Sequence, residues 1–395
     1  ILAQANSGAS PSCLACCVDS CNVMDFASLP ADVQAAVQEK QRQKKLAKQQ
    51  AKHARQPETE SQQTADLVPN YPARITSDEY FAAAGGLFRD PALSPTEENL
   101  ELLLSVLDRD DDQARRLGRC NYFQFSGPQK ALWDPTFNAR LAYEGFFTIT
   151  TGRRSSTEPL PELQPFYGVL TWPNFECSKH VRKALRLAKS QNAGRGYILA
   201  NCKDPSRTWK LLNAYHLRKY GINWLTDSYF EMLRLASDDP SINFKMHCIE
   251  LYGESGSTVE CLDDQAMSSH SLSSRPLAGE IGFSIGRIYT SLSGWTEERT
   301  TDGHGFMQLV LLGRWLRQRG YAFWSLGHCY SPEMDYKREL GHRVYPRADF
   351  LALLKQHRGN FRQDVVPLEK GLLNDFQPLE DGETCNAKPL LEVRI

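Results

Sequence analysis

The chain has 395 residues, 46 of them Lys or Arg and 47 Asp or Glu, for a formal net charge of -1; a uniformly basic nucleic-acid coat is excluded, and any polyanion site has to be local. A hydrophobic fraction of 41% supports at least one sizeable core and excludes a disordered chain, and at roughly 150 residues per domain the length allows two or three units. No window approaches about 18 consecutive apolar residues, so no transmembrane segment is expected. Ile1 in place of Met reads as a processed or incomplete start, which leaves the compartment open. The 11 cysteines are odd in number, and Cys120, Cys177, Cys202, Cys248, Cys261, Cys329 and Cys385 stand singly without a framework spacing. That usage predicts reduced thiols in a reducing compartment, cytoplasmic or organellar.

In chain order, residues 1–30 form a Cys-rich segment in which Cys13, Cys16, Cys17 and Cys21 would share one stripe of a helix. A metal site opening with Cys-x-x-Cys is one reading; packing against a partner, acylation of Cys16 or Cys17, or disulfides are the others, since no second ligand pair follows nearby. No metal site is assigned. Residues 31–55 are rich in Gln, Lys and Ala behind Pro30 and predict one long exposed helix. Seven basic residues (Lys40, Arg42, Lys44, Lys45, Lys48, Lys52, Arg55) stand there against Asp32 and Glu39, so this stretch carries +5 and the remainder -6. It suits RNA, an acidic protein or an anionic membrane, or is a solvated helix. A polar linker closes the 31–70 segment. Residues 71–135 read as a small helical region, with Thr76-Ser77-Asp78-Glu79 and Ser94-Pro95-Thr96-Glu97 as helix starts. Beyond it, strand-like stretches at 243–252, 277–290 and 321–326 alternate with helical ones such as 303–318. That mixture predicts an α/β or α+β domain over 136–355, with 356–395 as a C-terminal extension.

Within that domain an ordered series of fragments resembles the leucyl/phenylalanyl-tRNA–protein transferase family. His247-Cys248-Ile249-Glu250-Leu251-Tyr252 is similar to its His-Ser-(Val/Ile)-Glu-Val-Trp strand. Leu277-Ala278-Gly279-Glu280-Ile281-Gly282 is similar to its Leu-Val-Gly-Gly strand, and Leu340-Gly341 with Pro346-Arg347-Ala348-Asp349-Phe350-Leu351 to its Leu-Gly and Pro-Arg-Arg-Asp-Phe/Tyr-Leu ending. Upstream, Leu141-Ala142-Tyr143-Glu144-Gly145-Phe146-Phe147, His180-Val181-Arg182-Lys183-Ala184-Leu185-Arg186 and Asn223-Trp224-Leu225-Thr226 follow the family's order. The resemblance covers roughly 136–353. It implies an acetyltransferase-like mixed sheet flanked by helices, and aminoacyl transfer from tRNA to a protein N-terminus without a cofactor, with aminoacyl-tRNA and an acceptor protein as partners.

The same resemblance names positions to inspect. Ser291-Leu292-Ser293 stands where the family has Gly-Glu-Ser, so Leu292 occupies the carboxylate position. Ser325, in Phe323-Trp324-Ser325-Leu326-Gly327, stands where an Asp is expected, and Gly327 where a Gln is; the alternative alignment, Cys329-Tyr330-Ser331, has no carboxylate either. Glu250 and Ser325 are the catalytic candidates, and Trp224, Ser293, Arg182 and Lys183 the substrate-binding ones. Glu250 is alternatively a structural ion pair, and Trp224 a core aromatic. His247, His328 and Glu333 are further sources of a base. The basic stretch 179–189 and Tyr215-His216-Leu217-Arg218-Lys219-Tyr220 suit RNA, or are ordinary helix faces. Loss of the acids makes the alternative function a catalytically inactive subunit with a structural or interaction role in a large complex, its partners then being proteins of that assembly.

Overall fold

The computed structural model describes residues 71–109, 111–151, 157–175, 197–253, 275–297, 303–362 and 376–386. These residues belong to one compact unit. The Cys-rich start, the basic stretch and linker of 31–70, and the 179–189 stretch with Arg182 and Lys183 lie outside the described residues.

The chain enters through β1 (Ile75–Thr76) and α1 (Ser77–Ala83). Thr76 caps α1 as its sequence predicts: its side chain accepts from the Glu79 N–H, and the Glu79 carboxylate accepts from the Thr76 N–H at 2.8 Å, so two otherwise unpaired donors are satisfied at once. After β2 (Leu87–Arg89) comes α2 (Glu97–Leu107), capped by Thr96 inside the second predicted start. Then follow α3 (Asp112–Gly118), β3 (Tyr122–Gln124), α4 (Gln129–Leu132), α5 (Pro135–Tyr143), β4 (Phe147–Thr151) and β5 (Glu158–Glu162). Region 71–135 thus holds the two expected helices and, in addition, α3, α4 and strands. Of these strands, β2 and β3 join a four-stranded sheet of order β2-β3-β5-β4, in which β3 pairs with β5 across residue 135. Leu100, Leu103, Phe123, Leu141 and Leu163 form one buried cluster from both sides of that residue.

The central sheet is built from β6 (Phe166–Thr171), β7 (Tyr197–Asn201), β8 (Lys245–Gly253), β9 (Ala278–Ile285), β10 (Ile288–Thr296) and β11 (Phe323–Ser325). Beyond the short β12 (Tyr330–Ser331), β13 (Arg343–Pro346) and β14 (Thr384–Asn386) complete its edges. Its order is β13-β6-β11-β10-β9-β8-β7-β14. Helices cover both faces, in keeping with the mixed α/β, acetyltransferase-like architecture. On one side α6 (Pro205–Tyr220) and α7 (Asp227–Asp238) bring Leu212, Phe230 and Leu233 against Met246, Ile281 and Phe283. On the other, α8 (His304–Gln318) packs Val310, Leu311 and Trp315 against Ile249, Leu251, Tyr289 and Trp324. All eight residues of β9 are buried: Ile281, Phe283 and Ile285 fill one face, while the small or polar Glu280, Gly282 and Ser284 alternate with them on the other. Two short elements close the set, α9 (Asp335–Arg338) and α10 (Arg347–His357).

One junction differs from the rest of the central sheet. β10 and β11 are parallel, with α8 as the crossover, whereas their neighbours pair antiparallel. They pair only from Ile288–Phe323 to Thr290–Ser325. Past that point β10 carries a bulge between Ser291 and Ser293, while the chain after β11 turns away as the Leu326 N–H donates to the Gly168 carbonyl at 2.8 Å. A bulge bends and over-twists its strand. The sheet therefore opens where the two parallel strands part.

Candidate active site

A narrow cavity of about 30 Å³ occupies that opening. Its walls come from Ser291, Leu292, Ser293, Gly294 and Trp295 of β10, Gly279 and Glu280 of β9, the first turns of α8, Leu326 and His328 beyond β11, and Lys337 of α9. A Cβ at Gly279 would come within 2.6 Å of the Ile249 carbonyl and 3.0 Å of Trp295 Nε1, so this wall tolerates no side chain.

Glu280 is 2% exposed. Its Oε1 accepts from the Tyr289 hydroxyl at 2.9 Å and the Ser291 hydroxyl at 2.8 Å, and Ser291 Oγ in turn accepts from Trp324 Nε1 at 2.9 Å. Burial pushes the Glu280 pKa up, with hydrogen bonds from Ser291, Tyr289 and Gln308 opposing the rise. Lys337, also buried, donates from Nζ to the Leu326 carbonyl and, at 2.5 Å, to the His328 carbonyl. Burial brings it down to about 8. A carboxyl that holds its proton more tightly and an amine that holds its own less tightly, on one cavity, are suited to acid–base work near neutral pH.

Ser293 Oγ lies 3.1 Å from His216 Nε2, which is also 3.2 Å from the Gly294 carbonyl. Burial lowers the His216 pKa to about 4, so the ring is neutral at pH 7. A carbonyl only accepts; Nε2 therefore carries the hydrogen, and Ser293 Oγ receives it. The Ser293 hydroxyl hydrogen is left free to turn toward the cavity. Another cavity residue, Trp295, keeps a buried Nε1 donor without a hydrogen-bond partner among the described residues. Two donors around one small space form the kind of arrangement that holds a carbonyl oxygen as it becomes an oxyanion.

The residues singled out in the sequence are distributed unevenly around this cavity. Leu292 and Ser293 line it, as does His328, whose Nε2 donates to Glu162 Oε2 at 3.0 Å. Trp224 packs against Phe147, one of the walls, with ring centres 5.7 Å apart and planes tilted by 34°, and so stands behind the site. Ser325 is buried within β11 between Thr290 and Val169 and does not line the cavity. Glu250 faces α6, on the side of the sheet opposite Glu280, and does not line the cavity. Its carboxylate accepts from Thr208 Oγ1 at 2.8 Å and from Arg207, Tyr252 and the Cys202 thiol, the partner set of a structural ion pair. His247 accepts at Nδ1 from Asn201 Nδ2, 3.2 Å away, and donates from Nε2 to Ser284 Oγ at 2.8 Å. Burial takes its pKa down to about 3, so it is a neutral core residue. Glu333 accepts from the Ser77 hydroxyl at 2.9 Å, away from the cavity. In the aromatic–basic stretch, Tyr215 and His216 face the core, and Lys219 Nζ sits 5.0 and 4.9 Å from the Tyr215 and Tyr220 ring centres.

Glu280, Lys337 and Gln308 emerge as site residues only from the geometry, as does the contact of His216, named in the sequence only within the 215–220 stretch, with Ser293. Glu280 had a sequence signal, a lone charge inside the buried run Leu277-Ala278-Gly279-Glu280-Ile281-Gly282; Lys337, in a charged stretch, had none. Among the described residues no group of three or more His, Cys, Asp or Glu is placed to hold a metal ion, and Cys120, Cys202, Cys248, Cys329 and Cys385 are free thiols.

No family model matches the chain, and no curated protein matches it. Among solved structures it is similar to FemX, at 13% identity and a TM-score of 0.32 over 64% of this chain and 75% of that one. It is also similar to the C-terminal domain of a putative lysylphosphatidylglycerol synthetase from Agrobacterium fabrum, at 12% identity and a TM-score of 0.30 over 67% and 80%. A third, L-PGS from Bacillus licheniformis, is 10% identical with a TM-score of 0.28 over 62% and 76%. None of these three is a leucyl/phenylalanyl-tRNA–protein transferase, and at these scores no functional conclusion follows from them.

Proposed function

We propose that the chain is an aminoacyltransferase that moves an aminoacyl group from a tRNA ester to an amine on an acceptor protein, at the cavity where β10 and β11 part. The ordered resemblance over 136–353 supports the reaction class, and one observation carries the proposal. Where Leu292 removes the carboxylate that the resemblance leads one to expect on β10, Glu280 supplies one from the adjacent strand to the same cavity.

The chemistry asks for three things. An acceptor α-amine has an ordinary pKa near 8 and must lose a proton before attack; Lys337, brought down to about 8, and Glu280 are the groups at the cavity able to take it. The ester carbonyl must be held while negative charge develops on its oxygen, a task for the Ser293 and Trp295 donors. As the carbon–nitrogen bond forms and the ester carbon–oxygen bond breaks, the departing tRNA hydroxyl must be protonated, which a protonated Glu280 does. The test is incubation of the purified chain with labelled aminoacyl-tRNAs and an acceptor bearing an N-terminal Arg or Lys. Transfer above buffer is expected; folded protein that transfers nothing would sink the proposal.

A second reading, a non-catalytic subunit of a larger assembly, is favoured by Leu292 and Ser325 at the positions where acids are expected. Sedimentation of the native protein separates the two. Stoichiometric presence in a large complex, without transfer, supports the subunit, and a wholly free monomer counts against it.

A further inference from the structure

Resting on the proposed aminoacyl transfer at this cavity, we infer that the acyl group it accepts is small, of the glycyl, alanyl or seryl class, and that Leu292 is the wall that excludes leucyl and phenylalanyl groups. The space is about 30 Å³. One water needs roughly 10–15 Å³ by that measure, and a single benzene ring is held by a cavity of roughly 150 Å³. Room for two or so water-sized groups accommodates a methyl or a hydroxymethyl, not an isobutyl or a benzyl side chain.

The walls are not free to retreat. Leu292 is 2% exposed and belongs to the same buried cluster as Leu212, Ile281 and Trp295, so it has no solvent-side rotamer to adopt. On the β9 side, the space above Gly279 is closed by Trp295 and the Ile249 carbonyl. Interior packing of this density transmits a misfit into strain. The chemistry of the lining points the same way. Glu280, Ser293, Gln308 and Lys337 all line the cavity, and the Trp295 Nε1 donor is unsatisfied among the described residues. A bulky apolar group would leave that donor buried against carbon, which is unfavourable, whereas a small group leaves room for the ester carbonyl or one water to pair with it.

The test uses two readouts on the full chain. The first is binding of glycinamide, alaninamide, serinamide, leucinamide and phenylalaninamide, followed by calorimetry. The second is transfer from tRNAs charged with the same five amino acids. Small amides should bind at least tenfold more tightly than leucinamide and phenylalaninamide, and transfer should follow the same order. Leu292→Ala should raise the leucyl-to-alanyl ratio at least tenfold; Leu292→Val, a smaller perturbation of the core, should move it in the same direction if the alanine variant does not fold. Equal binding or transfer of leucyl and alanyl groups overturns the inference while leaving aminoacyl transfer standing. Selective binding of the small amides with no transfer from any tRNA does the reverse. Binding of none of the amides and transfer of none of the groups overturns both.

Discussion

Glu280 has no cation as its nearest partner; two hydroxyls, those of Tyr289 and Ser291, hold it in a strand buried on both faces. Such a carboxyl is costly to ionise and is retained only where the surrounding structure fixes it. Glu280→Gln keeps the volume and removes the titration. It should lower transfer by about 100-fold or more, the span usual for a lost acid–base group, with kcat reduced and the thermal midpoint nearly unchanged. A second prediction at this scale concerns three buried histidines, His216, His247 and His342, brought down to about 4, 3 and 4. Below the unfolded value of about 6.5 the unfolded chain takes up protons that the folded chain refuses, so stability falls as pH drops through that value toward the folded ones. Each histidine contributes roughly 2 kcal/mol of loss by pH 5. Denaturant midpoints measured from pH 7 to pH 5 should fall steeply, and a flat profile would contradict the burial of these rings. Of these residues only His247 and His216 stood out in the sequence, as a base candidate and as part of an RNA-facing stretch; burial makes both neutral structural groups. Their roles were illegible because protonation depends on surroundings that one sequence position does not specify.

At the scale of elements, strands β8 and β9 and helix α8 were legible, since β-branched, aromatic and other apolar residues recur through the two strands and α8 buries ten of its fifteen residues. The capped starts of α1 and α2 were legible too, because a cap is a local hydrogen-bond arrangement. Glu250 was visible as a residue but not as a contact. It was open between catalysis and an ion pair, and the register of β8 turns it toward α6, where Arg207 meets it. Arg207→Ala would leave a fully buried carboxylate without its cation. Destabilisation of about 2–3 kcal/mol is expected, below the roughly 3–5 kcal/mol of a completely buried pair because the Arg207 side chain is 43% exposed; urea unfolding of the variant measures it. The bulge at Ser291–Ser293 left no mark in the sequence. It is a property of how β10 pairs with β9, and it turns Ser291 to one face and Ser293 toward His216 on the other.

Across the whole molecule, the β2-β3-β5-β4 sheet and its helices are tied to the central sheet through Arg347. Its guanidinium donates to the Gly118 carbonyl at 2.8 Å, Asn121 Oδ1 at 2.8 Å, the Leu163 carbonyl at 2.5 Å and the Gln164 carbonyl at 3.1 Å. The Pro346-Arg347-Ala348-Asp349-Phe350-Leu351 fragment thereby acquires a structural meaning: Phe350 stacks on Tyr167 at 3.8 Å while Arg347 clamps the neighbouring layer. Arg347→Ala should cost about 3 kcal/mol, given several charge-assisted bonds lost together, and hydrogen exchange should accelerate at 112–124 and 158–164 ahead of β8 and β9. Uniform exchange across all four segments would argue against the clamp. The sequence by itself determined the mixed α/β class, the helix caps and the absence of carboxylates at Leu292 and Ser325, because these follow from local pattern and residue identity. Only the tertiary structure decided that β10 and β11 run parallel and part after three residue pairs, that Glu280, Lys337, Ser293 and Gln308 meet at the gap, and that Glu250 faces away. Residues far apart in the chain acquire a shared chemistry only through strand order and register, and those are set by packing over the entire sheet, not by any one segment of it.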